Sequence, residues 1–295
     1  MKKKHAFTLR KAIIVLLINY CAILFSFSLK ISENLTQKKE SMIDVGGRKL
    51  HCCVYGKNSP SVVLISGFGA LQNYWGTVIP DLSAQTTVIT YDRAGIGKSE
   101  IGVLPCHGEQ SARDLNVLLN ELKAPKPYIL VGHSYGGKIA RLYTSMFPEA
   151  MGGLVLEDTQ HEDILDEQRK ILRGKDLEIL EQMVARVRAP DNPRTEGDYQ
   201  NATWNQLKNN KILPQIPFIV LTAGDRSKTM PPIFSIEAKK ALEKLSMDMQ
   251  KKLAALIRGS KHIVFEGVGH NIHIEKPKEF TVPIIEMINK VRKKK

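Results

Sequence analysis

Four stretches of the chain hold residue types suited to acyl-transfer chemistry. In Gly132-His133-Ser134-Tyr135-Gly136-Gly137 a serine sits between glycines, after the apolar run 128–131 and before the helix-forming run 138–143. Gly-x-Ser-x-Gly between a strand and a helix is a nucleophile elbow, a tight turn that lifts the serine hydroxyl clear of the backbone. The glycines at 132 and 136 let strand and helix approach on either side of Ser134. The head of the helix also presents amides and a dipole that favour developing negative charge.

A serine hydroxyl is a poor nucleophile until a base takes its proton. His270, just after the last β-rich run, is the best-placed base, and His273 is its rival. His5 lies in the N-terminal tail, His51 in a hairpin, His107 at a helix start, His161 in the inserted segment below, and His262 at a strand start. An acid must orient the histidine and stabilise its cation. Asp158 and Asp225 each close a β-rich run after the serine. Either serves, and either is also suited to a turn or a helix cap. The oxyanion needs two backbone donors. Tyr135 N–H, next to the nucleophile, is one; Phe68 N–H, in Ser66-Gly67-Phe68-Gly69, is the other.

These groups need a rigid scaffold. Residues 42–45 and 48–55 flank Gly46-Gly47 and read as a hairpin. Short apolar runs follow at 61–66, 87–91, 128–131, 154–156, 218–222 and 262–265. Near-continuous apolar strands indicate burial on both faces, as in a parallel sheet covered by helices. Leu115, Leu118, Leu119 and Leu122 follow a helical period between two of them. The order is α/β with an antiparallel start. About 60 residues separate the runs at 154–156 and 218–222, far more than a crossover helix needs. This helical insertion, about 160–214, is expected to form a lid over the strand carboxyl ends, where ligands bind in open α/β sheets.

Over about residues 42–290 the chain resembles the α/β-hydrolase superfamily. Ser66-Gly-Phe-Gly69 resembles its His-Gly-x-Gly loop, with serine in place of histidine, and Tyr91-Asp-Arg-Ala-Gly-Ile-Gly-Lys-Ser99 its Asp-x-x-Gly-x-Gly-x-Ser turn. Residues 132–137 match the elbow and Gly269-His270-Asn-Ile-His-Ile-Glu-Lys-Pro277 the catalytic-histidine segment. The resemblance implies a mostly parallel sheet with an antiparallel N-terminal hairpin, helices on both faces and a helical lid after the sixth strand. It also implies a serine hydrolase acting on a carboxylic ester, thioester or amide of a small molecule through an acyl-serine, with no metal or organic cofactor. Serine at the elbow departs from the dehalogenase and epoxide-hydrolase branches, which carry aspartate there. The usual acid position after the seventh strand is Ser227 here. Asp158 therefore ranks above Asp225. The alternative is a ligand-binding or sensor protein that has kept the fold without turnover.

Composition excludes other classes. With 43% hydrophobic and 25% charged residues the chain is neither disordered nor fibrous. The net charge of +13 suggests a nucleic-acid partner, but its excess lies in two tails. Residues 1–30 hold six cations and residues 290–295 five, neither with an acid, which leaves +2 for the body. A DNA-binding face needs cations clustered on the folded domain. Residues 12–29 form an uncharged run of 18 after a basic leader, long enough to span a bilayer as a helix. They are expected to be a membrane anchor, or a signal cleaved near Ser26-Phe27-Ser28, with the domain outside the cytoplasm. Residues 31–41 read as a linker and 291–295 as a basic tail. No cysteine spacing suits a metal, and two buried free thiols are expected in preference to a disulfide from Cys106 to either of the adjacent Cys52 and Cys53.

Overall fold

A computed structural model describes residues 38–101, 106–188, 196, 200–210, 212–225 and 230–293. Its centre is an eight-stranded sheet in the order β1-β2-β4-β3-β5-β6-β7-β8. The strands are β1 (Lys39–Asp44), β2 (Lys49–Tyr55), β3 (Ser61–Ile65), β4 (Thr87–Tyr91), β5 (Tyr128–His133), β6 (Met151–Glu157), β7 (Phe218–Ala223) and β8 (Lys261–Phe265). Strand β2 is antiparallel to β1 and to β4; the other neighbours run parallel. The turn between β1 and β2 closes with Val45 N–H donating to Arg48 O at 2.9 Å. Gly46 and Gly47 both take positive φ, 91° and 95°, as a tight two-residue hairpin turn demands.

The inner strands are buried throughout, so successive residues feed two cores on opposite faces. Val63, Ile65, Leu130, Leu154 and Val220 face one core, shared with α2 (Gly108–Glu121) and α3 (Tyr135–Met146). Val62, Leu64, Val131, Val155 and Leu221 face the other, shared with Trp75, α1 (Ile79–Ser83) and α9 (Pro277–Arg292). Each fully buried aliphatic side chain contributes roughly 1.5–3 kcal/mol by leaving water. That is why two apolar faces specify two helical layers.

The insertion between β6 and β7 carries α4 (Ile164–Ile171), α5 (Gly174–Arg188) and α6 (Gln200–Asn209). Leu172, Ile179 and Leu180 pack with Phe234, Ala238 and Leu242 in a third, smaller core against α7 (Ile236–Ala254). The short α8 (Ile272–Glu275) leads into α9.

The domain is wider than its pattern suggests at both ends. Strand β1 begins at Lys39, inside the expected linker, because residues 39–44 pair in register with β2. Helix α9 runs through Val291 and Arg292, inside the expected tail. Val291 is buried, and Arg292 donates to Ser59 O and Gln85 O. Cys52, Cys53 and Cys106 are buried free thiols, with Arg48 Nη1 donating toward Cys106 Sγ at 3.7 Å. Residues 12–29 lie outside the described residues, among which no helix is long and apolar enough to cross a membrane.

Candidate active site

The parallel strands place the chemically interesting residues along one edge, at the carboxyl ends of β3, β5, β6 and the loop after β8. Ser134 lies between β5 and α3 with φ 51° and ψ −115°, a conformation that costs a side chain energy and marks a sharp reversal. The flanking glycines show why that turn is possible here. A Cβ on Gly136 would lie 2.1 Å from Ile65 O, and one on Gly132 would lie 2.5 Å from Gly137 Cα. Ser134 N–H donates to Glu157 O at 2.9 Å, which ties the turn to the end of β6.

His270 and Asp158, 112 residues apart in the chain, meet at that edge. His270 Nδ1 donates to Asp158 Oδ2 at 2.5 Å. The carboxylate is fully buried and its Oδ1 also accepts from Ala223 N–H at 3.2 Å, whereas the imidazole keeps 30% exposure. A proton on Nδ1 leaves Nε2 as the nitrogen able to take one. Asp225 lies two residues beyond β7, its N–H donating to Val268 O. Of the two candidate acids, Asp158 is the one hydrogen-bonded to His270.

His273 occupies a different environment. It is wholly buried, and both its N–H and its Nδ1 engage Glu157 Oε1, at 3.0 and 2.8 Å. Trp75 lies at 4.4 Å between ring centroids and His133 at 5.2 Å. His133 donates through Nε2 to His270 O at 3.0 Å. Burial pushes the His133 imidazole down to about 4, so it is neutral, and its Nδ1 is a bare buried acceptor.

Tyr135 is the first residue of α3, so its amide belongs to the turn that no helical carbonyl reaches. The loop 66–69 leaves β3 beside the elbow: a Cβ on Gly67 would lie 3.5 Å from Ser134 Cβ. The Phe68 ring meets the Tyr135 ring edge to face at 6.0 Å. Both backbones that carry the expected oxyanion donors thus flank Ser134.

A cavity of about 410 Å³ reaches His270. Its walls include Ile164, Leu180, Met183 and Trp204 from the insertion, Met230 and Phe234 from the segment before α7, and Leu242 from α7. Helix α6 is fixed to the core beside it: Gly108 N–H donates to Thr203 Oγ1 at 2.9 Å, and Lys138 Nζ lies 3.4 Å from the Trp204 ring centroid. Lys138 is buried with no carboxylate within ion-pair distance among the described residues. Burial, aided by nearby Arg141, brings its pKa down to about 7.

Sequence reading missed several of these groups. Arg93 sits in the recognised Tyr91–Ser99 turn but gave no sign of its partners. Glu196 and Glu157 carry no local pattern, and Lys138 reads as an ordinary helix residue. Folding also gathers Glu40, His51 and Cys53, whose ligand atoms lie within 4.8 Å of one another. That group suits a metal poorly. Glu40 already accepts from Lys98 Nζ at 2.7 Å and pairs with Lys38 Nζ at 2.9 Å, and those ammonium groups hold its carboxyl far below the usual range.

Comparison with known proteins agrees with the fold. The chain is 26% identical over 223 residues, 75% of its length and 81% of the relative's, to the uncharacterized protein YqjL of Bacillus subtilis. It is 30% identical over 105 residues to the mouse (Lyso)-N-acylphosphatidylethanolamine lipase, covering 35% of this chain and 31% of that protein. The structure of a thermophilic esterase from Thermogutta terrifontis superposes with a TM-score of 0.55 at 22% identity, over 87% of this chain and 99% of the other. Residues 60–245 match the family model described as alpha/beta hydrolase fold. Matching well over half of the chain, and joined to the sheet order and elbow above, that result makes this protein a member of the α/β-hydrolase family.

Proposed function

We propose that the protein is a serine hydrolase that cleaves an ester, thioester or amide through an acyl-serine. The bond from His270 to buried Asp158, at the wall of an apolar cavity and beside a strained elbow serine, carries this reading. In it Ser134 attacks the carbonyl carbon and His270 Nε2 takes the hydroxyl proton. Asp158 holds the imidazole in the useful tautomer and stabilises the imidazolium. The Tyr135 and Phe68 amides stabilise the tetrahedral oxyanion, and His270 returns the proton to the leaving group. Water, deprotonated by the same histidine, then releases the acid. The Met- and Leu-rich wall supports an apolar acyl group as the part that fills the cavity. The lipase and esterase names among similar proteins support the same class.

A fluorophosphonate probe on the full-length protein tests this directly. Labelling is expected in the wild type and absent in Ser134→Ala. A folded wild type that resists the probe would sink the reading and leave a ligand-binding protein in its place.

The same proposal puts the catalytic domain outside the cytoplasm, anchored by residues 12–29 or released after cleavage. Support comes from the basic leader and uncharged run in the sequence. Protease added to intact cells should digest the domain; full protection would overturn the placement.

A further inference from the structure

The charged pair buried beside the elbow shares no hydrogen bond or ion pair with His270 or Asp158, and its side-chain hydrogen bonds beyond the pair all go to one short loop. Arg93 and Glu196 are each 2% exposed. Arg93 Nε donates to Glu196 Oε1, and Nη2 donates to Oε2 at 3.0 Å. The rest of the guanidinium turns to backbone: Nη1 donates to Ser66 O and Nη2 to Gly67 O, both at 2.7 Å. Glu196 Oε2 in turn accepts from Gly69 N–H at 3.2 Å.

Peptide planarity converts these contacts into a statement about Phe68. In a trans peptide the C=O and N–H point in opposite directions within one rigid plane. Gly67 C=O and Phe68 N–H share such a plane, so the bond from Arg93 to Gly67 O aims the Phe68 N–H away from the guanidinium. Phe68 C=O and Gly69 N–H share the next plane, which Glu196 holds. One ion pair therefore fixes both peptide planes that flank Phe68. Arg93 also stacks on the side chain of Tyr135, its guanidinium carbon 5.6 Å from the ring centroid.

We infer that the Arg93–Glu196 pair is a positioning device for the oxyanion donor at Phe68, an inference that rests on the serine-hydrolase reading. Neither residue touches the reacting atoms. Their work is to hold a donor in place before charge develops, so that no reorganisation is needed when it does. The fork of Arg93 suits this because it serves two carbonyls and a carboxylate at fixed angles, which an ammonium does not. The cost of burying two charges makes their concentration on one four-residue loop more than a generic fastening.

The test is the second-order rate of Ser134 labelling by a fluorophosphonate, measured against pH on full-length protein. It needs no known substrate, and the phosphoryl oxygen draws on the same donors. Arg93→Lys and Glu196→Gln are expected to label more slowly, by about tenfold to a hundredfold, less than the ~10²–10³ seen when an oxyanion donor is deleted outright. Glu196→Gln, which keeps an acceptor for Gly69 N–H, should lose least. The pH midpoint of labelling should stay at its wild-type value, because His270 and Asp158 are untouched. If a single variant fails to fold, Arg93→Met combined with Glu196→Leu removes both charges and avoids an unpaired one; it too should label slowly. Folded variants that label at the wild-type rate overturn the inference while leaving the hydrolase reading intact. A loss accompanied by a shifted pH midpoint also overturns it, since that signals a loosened histidine. A folded wild type that does not label at all overturns both.

Discussion

Two acid–histidine pairs stand side by side, built from adjacent acids and from histidines three residues apart. Glu157 and His273 are both fully buried; Asp158 is buried, but His270 keeps 30% exposure at the cavity wall. The groups are chemically alike and the bonds are similar, 2.8 Å for one and 2.5 Å for the other. What separates them is the surroundings of the far ring nitrogen. His273 Nε2 is enclosed among Trp75, Tyr74 and Phe280 and has no hydrogen-bond partner. His270 instead lines the cavity. Composition therefore does not single out one histidine–carboxylate pair; in the proposed reaction, exposure at the cavity wall is what separates His270 from His273.

Substitutions at the two acids should split cleanly. Asp158→Asn is expected to lower kcat on the order of 10⁴-fold, because the amide no longer selects the right tautomer or balances the imidazolium. Its melting temperature should move little. Steady-state kinetics beside thermal melts check both, and a mild loss of kcat would return Asp225 to consideration. Glu157→Ala should do the opposite. It strands two buried donors of His273 and costs about 1–3 kcal/mol of stability, read from a denaturant titration. Labelling per folded molecule should stay within about tenfold of wild type, as expected for a group outside the chemistry.

Lys138 extends the comparison to a buried charge with no acid beside it. Its pKa falls from 10.5 to about 7, through burial first and Arg141 second. Below pH 7 the ammonium is charged in both folded and unfolded chains, so folding bears the full burial cost, offset in part by the Trp204 face. Between about 7 and 10.5 the unfolded chain holds a proton that the folded chain has released, so stability rises with pH through that window. Lys138→Met should therefore raise the melting temperature most near pH 6 and least near pH 10. A gain independent of pH would show that packing, not charge, is responsible. The smallest effect is expected at Asp225→Asn, with kcat within about tenfold of wild type. A drop to the level of Asp158→Asn would reverse the ranking of the two acids.

Much of the scaffold was legible because its signals are local. Apolar runs of strand length, the Gly46-Gly47 turn and the leucine period at 115–122 each lie within a few residues, and each became the expected element. The elbow was legible for the same reason: strand, glycine, serine, glycine and helix occupy one contiguous stretch. The ends of the domain were less so. Lys39–Ser41 are polar and Val291–Arg292 open into a run of lysines, and only pairing with β2 and packing against the second core assign them to the fold.

By itself the sequence determined the sheet-and-helix order, a serine at an elbow, and a histidine following the last strand. Those depend on the short-range pairing of residue type with backbone shape. Tertiary structure alone decided which aspartate meets His270, which histidine is enclosed, that Cys106 forms no disulfide with Cys52 or Cys53, and that Glu196 reaches Arg93 across 103 residues. Each of those depends on strand register and on how the insertion returns over the sheet. Contacts of that range leave no periodic trace in the chain, because nothing local distinguishes a carboxylate that will meet an imidazole from one that will meet water.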